Sequence, residues 1–224
     1  MKLRHNIHKK INNTIIFFME RIESVFENIE ELKKDYFIKN NKNIFYKNAQ
    51  KEEINKMISE QYIEELLQKT VFIIHDTSHI FFDYEIFKLY ACVENYEKIV
   101  LFFLKTVDEC IQKNGEYYFH ISLKTFTISA AERHANFLQL INLYCTSTEY
   151  NSYIRCLNIY NVPSVIEIIY KILYRFIDPH LRNMINYFEK DVSGPMIENL
   201  LTKGQSINYE DAQKLGAHIA PKIL

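Results

Sequence analysis

Three short constellations in the sequence hold the residue types that carry chemistry. His75-Asp76 and His79, with Asp83 just beyond, offer imidazoles and carboxylates in one stretch, the donor types of a zinc site. The spacing falls at the end of an apolar run and assures no third ligand, so it reads as a turn built on Asp76 with solvated histidines. His120 and Ser122 alternate onto one face of an expected strand, placing a base near a hydroxyl. No carboxylate accompanies them, and no Gly-x-Ser-x-Gly elbow is present, so a hydrolase is not expected. Glu132-Arg133-His134 sets an acid, a cation and a base side by side. Ser129-x-x-Glu132 has the form of a helix capping box, which explains the acid without catalysis.

The remaining signatures of enzymes are missing. No Gly-rich phosphate loop exists. Cys92, Cys110, Cys145 and Cys156 show no Cys-x-x-Cys spacing and lie within apolar patterns, as buried small hydrophobes do. The chain is expected to be no enzyme and to hold neither cofactor nor metal.

Binding chemistry stands instead at the two ends. Lys2, Arg4, Lys9 and Lys10, interspersed with His5 and His8, form a basic run suited to phosphates. Lys214 and His218 punctuate an apolar tail that finishes Pro221-Lys222-Ile223-Leu224. The formal net charge of −1 over 224 residues excludes a general attraction to nucleic acid or to an anionic membrane, and excludes a structural ribosomal protein. The function expected from the two ends is a non-catalytic docking or regulatory factor on a large ribonucleoprotein. The favoured partner is the ribosome (rRNA and ribosomal proteins), held silent by the chain as a dormancy, or hibernation, factor. In that reading Lys2, Arg4, Lys9, Lys10, Lys214, His218 and Lys222 meet RNA, and the tail through Pro221, Ile223 and Leu224 enters a functional site.

The elements that must position these residues follow from periodicity. Residues 1–70 contain no Gly and no Pro; Ile15, Phe18, Ile22, Val25, Phe26, Ile29 and Leu32 keep a helical period, and Ile54, Met57, Ile58, Tyr62, Ile63 and Leu66 keep another. Asn40-Asn41-Lys42-Asn43 interrupts them, so the spacing predicts a helical hairpin. Val71 to His75 reads as a wholly apolar strand, and Phe81 to Ile111 as helix. From Glu116 the order is strand (116–123), helix (129–144), strand (153–160), helix from Pro163, and strand (184–189), the alternation of parallel strands with crossover helices. A last helix is expected to start at Pro195 and to stop at Gly204, with a short one from Asn208. The fold class expected is therefore α/β, a mainly parallel sheet with crossover helices behind an N-terminal helical hairpin. The expected divisions are 1–70, 71–192 and 193–224. No run of eighteen or more apolar residues exists, and the first twenty residues do not form a signal peptide, so a cytoplasmic setting is expected. Abundant Asn, Ile, Lys and Tyr, with no Trp and four Gly, fit an AT-rich genome.

Three segments resemble CRAL-TRIO (Sec14-like) domains. Tyr118-Phe-His-Ile-Ser-Leu-Lys-Thr-Phe-Thr127 is similar to that family's strand and following turn. Tyr153-Ile-Arg-Cys-Leu-Asn-Ile-Tyr-Asn-Val-Pro163 is similar to its next strand, which finishes in Asn-x-Pro. Ile172-Leu-Tyr-Arg-Phe-Ile-Asp-Pro179 resembles the helix end before its last strand. The likeness runs from about Val71 to Lys190, and it lacks the family's preceding basic helical motif and its closing Gly-Gly element. It implies a Sec14-like fold, which in the family holds a lipid under a mobile helical gate. A soluble lipid-binding or transfer protein is thus the alternative function, with an apolar cavity beneath one sheet face or an interior filled by the sixteen Phe and sixteen Tyr. A small-GTPase or signalling adaptor, using the hairpin of residues 11–68, is the second alternative.

Overall fold

The computed structural model describes residues 23–204 apart from 44 and 148. Helix α1 (residues 23–40) and helix α2 (Lys47–Thr70) form the expected hairpin. Val25, Ile29 and Tyr36 of α1 are buried in the same apolar cluster as Ile54, Ile58 and Leu66 of α2. The Tyr36 hydroxyl donates to Glu53 Oε2 at 2.6 Å. That bond, with burial and the carboxylate charge, pushes the phenol up to about 12. Asn55 donates to the carbonyls of Lys88 and Ala91, tying α2 to the chain at residues 88–91.

Strands β1 (Val71–Ile73), β2 (His79–Asp83), β3 (Tyr117–Ser122), β4 (Ile154–Val162) and β5 (Ile185–Glu189) lie side by side in chain order. β1 and β2 are antiparallel, with Val71 opposite Phe82, and every later pair is parallel. The α/β class and the mainly parallel sheet are as the sequence implied. Strand β2 was not legible: the sequence reading has helix beginning at Phe81, which lies inside β2. A tight turn makes this pairing possible. Asp76 adopts φ +56°, and Thr77 Oγ1 both donates to the Ile74 carbonyl and accepts from the His79 amide.

Helices α3 (Tyr84–Tyr90) and α4 (Tyr96–Asn114) connect β2 to β3, and α5 (Ile128–Arg133) and α6 (Ala135–Ser147) connect β3 to β4. Helices α7 (Ile166–Leu173) and α8 (Pro179–Arg182) connect β4 to β5. When neighbouring parallel strands are taken in chain order, crossovers of one hand put every connecting helix on the same face. α9 (Lys190–Lys203) takes the opposite face, where Met196 and Leu200 pack with Phe81, Tyr160 and Phe188.

Two expected helices change shape. The stretch 129–144 is split at His134, and the cap is Thr127, whose hydroxyl accepts from the Ala130 amide; the capping box expected at Ser129 and Glu132 starts two residues too late. Pro195 stands inside α9 rather than at its start, while Gly204 ends that helix in the left-handed region at φ +63°, as expected of a C-terminal glycine. The short helix expected from Asn208 lies outside the described residues.

Candidate functional site

The inner sheet face and the crossover helices enclose a cavity of about 210 Å³. Strand alternation builds its floor: Phe82 from β2, Phe119 and Ile121 from β3, Leu157 and Ile159 from β4, and Tyr187 from β5, each two residues from the next on its strand as a pleat requires. Phe137, Leu138 and Ile141 of α6 form one wall. Ile169 and Leu173 of α7 and Phe176 and Leu181 beyond it form the other. On the α3 side aromatic rings close the space, with Phe87 centred 4.7 Å from Phe137 and 5.4 Å from Phe82. The cavity's lining extends from these rings to Ile169 and Leu173 of α7 and Ile185 of β5. The cavity exceeds the ~150 Å³ of an engineered apolar cavity that admits benzene, and it lies below the roughly 300–1,000 Å³ of pockets for drug-sized ligands.

The few polar groups on the lining are neutral or paired. Burial pushes the Cys145 thiol up to about 12, so it keeps its proton. His134 is held down to about 3 by burial and by the charges of Arg133 and Lys51. Its Nε2 accepts from Arg133, which leaves Nδ1–H to meet the Tyr96 hydroxyl at 2.7 Å. Asn151 donates to Asp178 Oδ2 at 3.1 Å, while Asp178 Oδ1 caps α8 through the His180 amide. Arg182 folds back over this segment, 3.6 Å above the Tyr174 ring, and donates to the carbonyls of Tyr174 and Ile177. The wall from α7 to α8 is a stapled unit over an apolar floor.

The constellations suspected of chemistry are dispersed. His75 pairs with the exposed Asp76, which also meets Lys113. Asp83 caps α3 by accepting from the Glu85 amide. His79 turns to the outer face and places Nδ1 2.9 Å from His120 Nε2. His120 Nδ1 faces the Tyr160 hydroxyl at 3.0 Å and Asn158 at 3.4 Å, so neither ring nitrogen serves Ser122, which accepts from Asn161. Among the described residues, Glu52, Cys92 and Glu94 are near enough to share a metal ion. Glu52 is engaged by the Val93 amide, and burial raises the Cys92 thiol to about 11, against the thiolate a metal needs. The terminal residues assigned to RNA (Lys2, Arg4, Lys9, Lys10, Lys214, His218, Pro221, Lys222, Ile223 and Leu224) lie outside the described residues.

The CRAL/TRIO domain matches residues 75–203. The chain belongs to the CRAL/TRIO domain family. The match spans β2 to the end of α9, which takes in four of the five strands and both of the cavity's walls. A solved structure titled "Crystal structure of Sfh5" is similar at 13% identity over 79% of each chain, with a TM-score of 0.45. No match was found among curated proteins.

Membership in the CRAL/TRIO family overturns the expectation of a ribosomal dormancy factor. The matched residues are those that build the internal apolar chamber, whereas the residues expected to meet RNA lie outside the match. The expected RNA-binding role and ribosome partner are withdrawn with it. Among the described residues no helix is long and apolar enough to cross a membrane. The sequence left open an apolar cavity beneath one sheet face or an interior filled by aromatic rings, and it marked no lining residues. The alternation Tyr117, Phe119, Ile121 was the available signal; which face the helices cover depends on strand order, which one sequence does not reveal.

Proposed function

We propose that this CRAL/TRIO chain binds a small lipid or another hydrophobic molecule and carries it without chemical change. The observation that supports this reading is the apolar chamber between the sheet and the α7–α8 wall, floored by Leu157, Ile159 and Tyr187. Burial of an apolar ligand surface there is worth roughly 25 cal/mol per Å², and no charged partner is required. The chamber as it stands suits a slim apolar chain; a bulkier cargo needs the wall to move outward. The polar groups beside it are capped, paired or held neutral, so the reading assigns no residue a catalytic role.

The test is solvent extraction of the natively purified protein followed by mass spectrometry, with native mass spectrometry for stoichiometry. One co-purifying hydrophobe per chain is the expected result. A protein that emerges empty and fails to take up fluorescent fatty-acid or phospholipid analogues would end the proposal.

A further inference from the structure

A second pocket, of about 390 Å³, opens between the helical hairpin, α3 and the loop before α5. Six cations line it, and no carboxylate does. Lys33 is paired with Glu30, and Lys88 with Glu85. Lys42, Lys47, Lys51 and Arg133 have no carboxylate within ion-pair distance among the described residues. Burial and the charges of Arg133, Lys47 and Lys88 lower the Lys51 ammonium, so the repulsion is felt within the pocket. Like charges held this close are unfavourable until a negative group joins them.

Three hydroxyls share the lining, those of Thr125, Thr127 and Ser129. Two are already in use. Thr125 Oγ1 accepts from Lys88 Nζ at 2.6 Å, and Thr127 Oγ1 accepts from the Ala130 amide as the cap of α5. The Ser129 hydroxyl makes no hydrogen bond to any other described residue, and its side chain is exposed. Ser129 stands four residues before Arg133 on α5, so the two side chains share a face of that helix.

We propose that Ser129 is a phosphorylation site and that the basic pocket seats its phosphate. A protein kinase supplies the group: Ser129 Oγ bonds to the γ-phosphorus of ATP, the bond to ADP breaks, and the hydroxyl proton passes to the kinase's base. The phosphate brings a charge of about −1.5 to −2 and three acceptor oxygens. Arg133 meets it from the same helix, and Lys42, Lys47 and Lys51 meet it from the hairpin. The modification therefore clamps the hairpin onto α5. Arg133 Nη2 also lies 3.1 Å from Nε2 of His134, which lines the chamber, so the phosphate and a chamber residue compete for one guanidinium. The clamp itself does not depend on what the chamber carries.

Phosphopeptide mapping of the chain purified from its own cells, with phosphatases inhibited, is expected to find phosphate on Ser129. No phosphate there, or phosphate on Thr125 or Thr127 instead, overturns the site. The seat is tested on the whole chain with Ser129 replaced by phosphoserine during synthesis. A solvated phosphoserine titrates near pH ~6. By phosphorus NMR its second pKa should fall by about one unit, a tenfold shift in the proton equilibrium, and Lys47→Gln with Lys51→Gln should return most of that shift. In thermal melts the same double substitution should change sign. It relieves repulsion and raises the melting temperature of the unmodified chain, and it lowers that of the phosphorylated chain. A phosphate that titrates near pH ~6 with or without the two lysines overturns the seat. An unphosphorylated native chain whose melting temperature rises with inorganic phosphate assigns the pocket to a free anion and overturns the modification.

Discussion

The side-chain amide of Asn151 donates to Asp178 Oδ2 at 3.1 Å, joining the turn before β4 to the first residue of the α8 cap at the rim of the chamber. One carboxylate therefore does two jobs: it caps the start of α8 and ties the α7–α8 wall to the turn before β4. Asp178→Ala removes both. Loss of the cap should cost about 1 kcal/mol, seen as a lower melting temperature. Uptake of a fluorescent fatty acid, followed by stopped flow, should become faster; slower or unchanged uptake contradicts the latch.

Filling the chamber should separate folding from cargo. Leu157 is buried on the floor between Phe119 and Ile185. Leu157→Trp places a larger ring in the open volume, at a cost of about 1–3 kcal/mol if the core does not yield. The variant should melt cooperatively and purify without its hydrophobe. Retention of the full complement of lipid would show that the cargo sits elsewhere.

Acid should destabilise the protein through two histidines. His120 and His134 are each lowered from the ordinary histidine value to about 3, chiefly by burial. The unfolded chain then binds protons that the folded one refuses, so stability is complete above about pH 6.5 and is lost as pH falls towards 3. The slope approaches 1.4 kcal/mol per pH unit for each group. Denaturant titrations at several pH values should show the slope, and His120→Gln should reduce it; a flat profile from pH 7 to pH 4 rules out the assignment.

Gly204 closes α9 with φ +63°, and a Cβ placed there would stand 2.7 Å from Thr77 Cγ2. Gly204→Ala should destabilise by at least about 1 kcal/mol, from the left-handed backbone alone. Adding Thr77→Ser removes the obstructing methyl and should recover the part due to contact, measured in a double-mutant cycle. Full additivity would place the whole cost in the backbone.

How much of this was written in the sequence depends on whether a signal was local. The hairpin was legible because Ile29, Ile54 and Ile58 repeat at helical spacing. The parallel strands were legible because Tyr117-Tyr-Phe-His-Ile-Ser122 is β-branched and aromatic between turn residues. Strand β2 was not, because His79-Ile-Phe-Phe-Asp83 is a short apolar run that serves a helix equally well; only its pairing with Val71–Ile73 decides. The chamber and the basic pocket are both assembled from distant segments. Lys47, Lys88 and Arg133 come from three helices, and no spacing along the chain brings them together.

The α7–α8 wall is inserted between β4 and β5, two strands that already neighbour one another and whose ladder holds from Leu157–Ile185 to Val162–Glu189. Lifting the wall breaks none of those backbone bonds. Opening is thus a partial-unfolding event with its own free energy, smaller than that of the whole molecule. A substitution in the wall therefore shows first as more frequent gaping of the chamber, under conditions far from the global denaturation midpoint.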